Sequence, residues 1–235
     1  MRLMQLLSLR NGFLALTFSA IASTGGLMTG CTSAASQIQS QAPEGNTTNA
    51  NDKQMMNHGS GMMNHSMRMD LGPADANFDL RFIDAMIPHH QGAVEMANVA
   101  QQKSKRPEIK KLADNIIKSQ NQEITQMKQW RQAWYPKAGD KPMAYNSQMG
   151  HMMEMSSDQM KAMMMSQDLG AADAEFDLRF INAMIPHHQG AVTMGQDALS
   201  KSKRPEIKKL AQEIVKAQEI EIKEMQQWRK AWYNK

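Results

Sequence analysis

Across 235 residues the chain carries 27 Lys and Arg against 23 Asp and Glu. Assigning Arg2 and Arg10 to a leader leaves 25 against 23, a near-balance that excludes a dedicated nucleic-acid binder, and no basic stripe interleaved with aromatics appears. The length suits one or two ordinary domains, and a single cysteine against 24 methionines leaves stability to packing, since one thiol makes no intramolecular disulfide.

In chain order, residues 1–30 read as a secretory signal peptide. Arg2 and Arg10 precede an apolar run from Gly12 to Ile21 that is too short to span a bilayer, and small residues follow. Leu27-Met28-Thr29-Gly30-Cys31 resembles a lipoprotein acylation box, with Met28 where Leu is usual; Ala20-Ile21-Ala22 is a rival conventional cleavage site. The expected locations are therefore the periplasm, with or without membrane anchoring through a lipidated Cys31, or secretion. Residues 31–72 are rich in Ser, Gln, Asn, Gly and Met and poor in large aliphatics, which predicts a disordered, Met-rich tether.

A self-match at an offset of 98 residues organises the remainder: between Asp75–Tyr135 and Asp173–Tyr233, 43 of 61 positions are identical. Ala85 to Val94 recurs intact as Ala183 to Val192, and Lys105 to Ala113 as Lys203 to Ala211. Phe78, Phe82, Ala85, Met86, His89, Ala93, Met96 and Ala100 step by three or four, and Ile109, Leu112, Ala113, Ile116, Gln120, Ile124 and Met127 do the same. Pro107 suits a first helical turn and Pro136 follows the second helix. Residues 73–136 and 171–235 thus read as helical hairpins joined by a Met-rich linker, 137–170. Leu80, Ile83, Ile87 and Val94 form a second apolar face that one hairpin leaves wet, so the predicted fold is all-α, two hairpins packed as a four-helix bundle. Pro88 inside the first helix removes a backbone bond and costs on the order of 3 kcal/mol unless the helix bends. It reads as function-related geometry beside two histidines, or as the start of a new helix or a bend around the core.

The candidate chemistry lies on these stripes. Antiparallel pairing brings Met127 within about one turn of Met86. Met86, Met127 and a histidine, His89 or His90, can then converge, and Met96 with His89 forms a possible second locus; Met184, His187, His188, Met194 and Met225 repeat the set. A single methionine or histidine on an apolar stripe is ordinarily core, but the duplicated constellation favours metal. Neutral thioethers suit Cu(I) and its surrogate Ag(I), whereas hard cations want oxygen. Imidazole must be deprotonated to bind, so binding through it should weaken in acid. Two tracts add soft donors. The tether carries Met55, Met56, His58, Met62, Met63, His65, Met67 and Met69, without aliphatic partners for a core role. The linker carries Met149, His151, Met152, Met153, Met155, Met160, Met163, Met164 and Met165, with helical spacing from Met152 to Met163 that also fits an amphipathic helix on the bundle.

Trp130, Trp134, Trp228 and Trp232 are expected to pack against Phe78 and Phe82, with cation–π contact to a bound ion a minor alternative. Lys103, Lys105, Arg106, Lys110 and Lys111 read as a solvated hairpin tip, with an anionic membrane patch as the lesser option. The Glu-x-x-His pairs of a di-iron bundle are missing, since Met86 and Met184 stand three before His89 and His187 and Glu95 is replaced by Thr193. No nucleophile dyad, phosphate loop or zinc-protease motif appears, so a non-enzyme is expected.

Met86-Ile87-Pro88-His89-His90-Gln91-Gly92-Ala93-Val94-Glu95-Met96-Ala97 resembles the signature of the bacterial domain-of-unknown-function 305 family, over both hairpins and more than half the chain. The resemblance implies a ferritin-like helical bundle and exported copper binding linked to resistance. By motif it implies the ligands Met86, His89, His90 and Met96, with Met184, His187, His188 and Met194. Copy two departs at Gly195, where copy one has Ala97. Sequestration or buffering of copper is the leading functional expectation. A metallochaperone serving a copper efflux system or oxidase, and a structural module with oxidant-absorbing methionines, are the alternatives.

Overall fold

The computed structural model describes residues 70–235. The leader, Cys31 and the tether positions Met55, Met56, His58, Met62, Met63, His65, Met67 and Met69 lie outside the described residues. The architecture is all-α: α1 (Phe78–Lys103), α2 (Pro107–Trp134), a small antiparallel ribbon of β1 (Met143–Asn146) and β2 (His151–Glu154), α3 (Ser157–Met164), α4 (Phe176–Lys201) and α5 (Pro205–Tyr233). Among the described residues, no helix is long and apolar enough to cross a membrane.

Each hairpin turns in three residues. Ser104 and Ser202 are buried there, and their hydroxyls accept from the backbone N–H of Arg106 and Arg204 at 3.1 Å. Pro107 and Pro205 open the second helices, where the missing N–H is one that would be unpaired anyway. Helix α1 runs through Pro88 and α4 through Pro186 without interruption, so neither proline begins a new helix.

The hairpins pack with α1 and α4 as the central pair. The first half of α1 (Phe78, Phe82, Ile83, Met86) shares a core cluster with Met127 of α2, Ala191, Met194 and Ala198 of α4, and Ile207, Leu210 and Ile214 of α5. The reciprocal cluster holds Ala93, Met96 and Ala100 of α1, Ile109, Leu112 and Ile116 of α2, Phe176, Phe180 and Met184 of α4, and Met225 of α5. The open end of each hairpin therefore sits on the tip of the other, giving the four-helix bundle an approximate two-fold relation. The same swap engages Lys103 and Arg106 of the tip cations, whereas Lys105 and Lys111 stay exposed as expected. Lys103 Nζ donates to Gly170 O at 2.6 Å and Lys201 Nζ to Gly72 O at 3.1 Å. Arg106 lies 4.1 Å from the Trp232 ring centre and Arg204 4.2 Å from that of Trp134, beside the tryptophan stacks Trp130–Trp134 and Trp228–Trp232. Trp130 and Trp134 pack against the cluster holding Phe78 and Phe82.

The linker departs from a single amphipathic helix. Gly150, at a φ of 70° that favours glycine, turns the chain so that Met152 and Met153 lie in β2. Helix then begins only where Ser156 and Gln159 form a reciprocal capping box. The linker is tied to the first hairpin by Asp84, whose carboxylate accepts from Arg131 Nε at 2.5 Å and from the Met143 N–H at 2.8 Å. Burial outweighs these bonds and raises the Asp84 pKa above the ordinary carboxylate value. Asn182 takes this position in copy two and meets Arg229 at 3.3 Å.

Candidate metal centre

Pro88-His89-His90 and Pro186-His187-His188 lie at the crossing of α1 and α4. All four imidazoles are buried, none more than 1% exposed. The rings form a row across the two-fold: His90 to His89 at 6.5 Å, His89 to His187 at 3.9 Å, and His187 to His188 at 6.2 Å between centroids. The row ends on carboxylates supplied by the second helices. His90 Nε2 lies 2.6 Å from Glu123 Oε2, and His188 Nε2 lies 2.7 Å from Glu221 Oε2.

In that geometry Nε2–H donates to the carboxylate, the tautomer being assigned from the hydrogen bond, and the Nδ1 lone pair faces the interior. Both Nδ1 atoms lack a partner, as do His187 Nδ1 and both ring nitrogens of His89. Leaving a buried polar atom unpaired costs about 1–3 kcal/mol, so five such imidazole nitrogens in one core are an expensive arrangement for packing alone. A carboxylate behind a histidine whose other nitrogen points at an ion is the arrangement that orients and strengthens metal-ligating imidazoles. Desolvation holds His89 well below the ordinary histidine pKa and His187 down to about 3, with repulsion from the neighbouring imidazoles adding to it. Both rings are therefore neutral, the form that coordinates metal, far into acid. The expected weakening in acid moves to lower pH for these two.

The methionines divide between the two ends of this row. Met86, Met127 and Met194, each fully buried, belong to the first core cluster; Met184, Met225 and Met96, at most 1% exposed, belong to the second. Met96 thus groups with copy two and Met194 with copy one, rather than Met96 with the methionines of its own hairpin. Among the described residues, no three His, Cys, Asp or Glu side chains are grouped to hold an ion.

The linker donors are scattered. Met149 is exposed, and His151 turns its Nδ1 toward Met149 O at 3.2 Å on the surface. Met152, Met153 and Met160 are half-buried, and Asn146 Nδ2 donates to Met153 Sδ at 3.4 Å. Met155 and Met163 are buried; Met164 and Met165 are half-buried. Only the end of α3 reaches the histidine row, through Met164 O at 3.0 Å from His187 Nε2. Gly92 makes that approach possible, since a Cβ there would stand 1.8 Å from Met164 O.

Sequence reasoning missed Glu123 and Glu221. Their signal was available: each is retained in both copies, four residues before Met127 and Met225 and so on the same face. Gln120 and Gln218 are a second omission, counted as core stripe yet buried with Oε1 unpartnered.

Fold and site together define a class: a duplicated four-helix bundle with a carboxylate-backed histidine row between thioether clusters. The profile of the DUF305 family, a domain of unknown function, matches residues 23–131 and 79–229, and the chain belongs to that family. It is similar to CopM in its Cu(II)-bound form, with 43% identity, 66% of this chain and 97% of that chain covered, and a TM-score of 0.53. The Ag-bound form of CopM obtained by soaking gives 39% identity, the same coverage and a TM-score of 0.52. The uncharacterized protein L153 of Acanthamoeba polyphaga mimivirus is 45% identical over 49 residues, which is 21% of this chain and 32% of that relative's length.

Proposed function

We propose that this is an exported, non-enzymatic protein that sequesters or buffers monovalent copper, and silver by the same softness, through the histidine row and its flanking methionines. The observation that carries this reading is the set of five buried imidazole nitrogens without partners, two of them on rings braced by Glu123 and Glu221. Its likeness to CopM, whose structures include Cu(II)-bound and Ag-bound forms, supports copper and silver as the metals. The preference for the monovalent ion rests on the donors, because neutral thioethers suit soft Cu(I) and Ag(I). Export rests on the leader read from residues 1–30. Thioethers, unlike grouped thiols, do not cross-link in an oxidising compartment.

The test is an anaerobic Cu(I) titration against a competing chelator, comparing the chain from residue 31 with a variant carrying Leu at Met86, Met127, Met184 and Met225. Met-to-Leu exchange conserves volume and costs under about 1.5 kcal/mol per site, so the variant should fold while its tight Cu(I) stoichiometry falls. Unchanged stoichiometry and affinity would remove these methionines from the reading.

A further inference from the structure

An ion bound among these side chains must first cross a closed wall. No ring of the histidine row is more than 1% exposed, and the outer face of α1 is sealed where Met164 O presses against Gly92. Between α2 and α5 the wall is indented. A groove of about 340 Å³ runs there, lined by Ser119, Gln122, Glu123 and Gln126 of α2 and by Leu210 and Glu213 of α5. Glu123 belongs to both places: its side chain is 19% exposed in the groove, while its Oε2 holds the wholly buried His90 at 2.6 Å.

Behind Glu123 lie polar atoms that packing leaves idle. His90 Nδ1 has no partner, and neither has Oε1 of Gln120, which is buried one helical turn before Glu123. In front of Glu123, the groove supplies what a cation losing its water needs. Ser119 commits its hydroxyl proton to Asn115 O at 2.9 Å and so offers only lone pairs. Gln122 and Gln126 bring amide oxygens, and Glu213 adds a second carboxylate. Carboxylates in a cleft with low-dielectric walls focus the field and raise the local concentration of cations; the methionines inside carry no charge to do this. The other end of the row repeats the buried contact, with His188 Nε2 at 2.7 Å from Glu221 Oε2, and has a further carboxylate in Glu224. There, however, Ala217 and the 49% exposed Ile220 stand where copy one has Ser119 and Gln122, so that end lacks the polar wall.

We propose that the α2–α5 groove is the entrance through which a soft monovalent cation reaches the histidine row, with Glu123 as its gate. This rests on the copper-binding reading above and adds the route. The arriving ion is drawn by Glu213 and Glu123, exchanges water for the oxygens of the groove, and passes inward as Glu123 turns from His90 toward solvent. One hydrogen bond breaks in that turn, and groove water replaces it at the carboxylate. Closing restores the bond and leaves the ion on donors that hold it by softness rather than charge. Glu213, exposed on the far wall of the groove, therefore sets the rate of passage and not the affinity.

Anaerobic stopped-flow transfer of Cu(I) from a coloured chelator complex to the full chain reads the rate, and competition at equilibrium reads the affinity. Glu213→Lys should slow uptake and release alike by about tenfold or more, the scale of electrostatic steering, and leave Kd unchanged. Ser119→Trp, which fills the groove without adding charge, should do the same. Glu206→Lys, on the same helix about two turns before Glu213, is the charge control and should leave both rates alone. Wild-type rates in both groove variants would overturn the route and place entry elsewhere. A loss of affinity with uptake unchanged would overturn it as well, since the groove would then be part of the binding site itself. A wild type that takes no Cu(I) from the chelator would overturn the copper reading, and the route with it.

Discussion

Glu123 and Glu221 do work that neither the histidines nor the methionines can do. A buried imidazole can rotate and can place its proton on either nitrogen. The carboxylate at 2.6–2.7 Å removes both freedoms by holding Nε2–H, which leaves Nδ1 as the available lone pair. Replacing both with Gln keeps shape and a hydrogen bond but loses the carboxylate's charge. The expected result is a loss of about 10- to 100-fold in Cu(I) or Ag(I) affinity, with an unchanged helical circular-dichroism spectrum. Competition titration reads the affinity, and unaltered binding would reduce the glutamates to caps on polar core residues. These carboxylates were legible as positions kept in both copies; their role was not, because which helix faces His90 depends on how the hairpin closes.

At the scale of elements, the linker shows how local chemistry and tertiary contact divide the decision. Methionines at helical spacing from Met152 to Met163 are compatible with one helix, yet Gly150, Ser156 and Gln159 break the stretch into a ribbon and a short capped helix. Each of those breakers is visible in the sequence; the methionine periodicity drew attention from them. What holds the ribbon down is Asp84, present in copy one and Asn in copy two, with Arg131 also donating to Gly139 O and Lys141 O. The close approach of α3 depends on the bare backbone at Gly92. Gly92→Ala places a methyl carbon into Met164 O and should displace α3, at a cost of about 1–3 kcal/mol as an overpacking change. Urea unfolding would read that cost, and amide exchange in residues 157–165 should rise. A variant with wild-type stability and exchange would show that α3 shifts without strain.

For the molecule as a whole, burying His89 and His187 makes stability depend on pH. Unfolded, His89 and His187 protonate near the ordinary value of 6.5; folded, burial holds His89 well below it and His187 down to about 3. Between those limits the unfolded chain binds more protons, so folding stability is fully present above about pH 6.5 and falls as pH drops toward 3. Each such histidine contributes about 1.4 kcal/mol per pH unit within its window. Asp84 acts oppositely above 3.8, where the folded state takes up the proton first. Denaturant unfolding of the metal-free protein from pH 7.5 to 4.5 should therefore show a midpoint that declines with acid. A flat profile would mean that these rings are solvated or already paired.

Sequence alone determined the four hairpin helices, the duplication, the bundle and the kinds of donor available, because all of these rest on periodicity, composition and self-similarity, which are local or one-dimensional properties. The placement of His89 and His187 ring to ring, the exchange of Met96 and Met194 between the two halves, and the tying of the hairpin tips to the opposite open ends were decided only by the tertiary structure. Periodicity tells a helix which face to bury. It does not say that α1 and α4 cross antiparallel at their histidines, since that follows from how two identical apolar faces cover each other most completely.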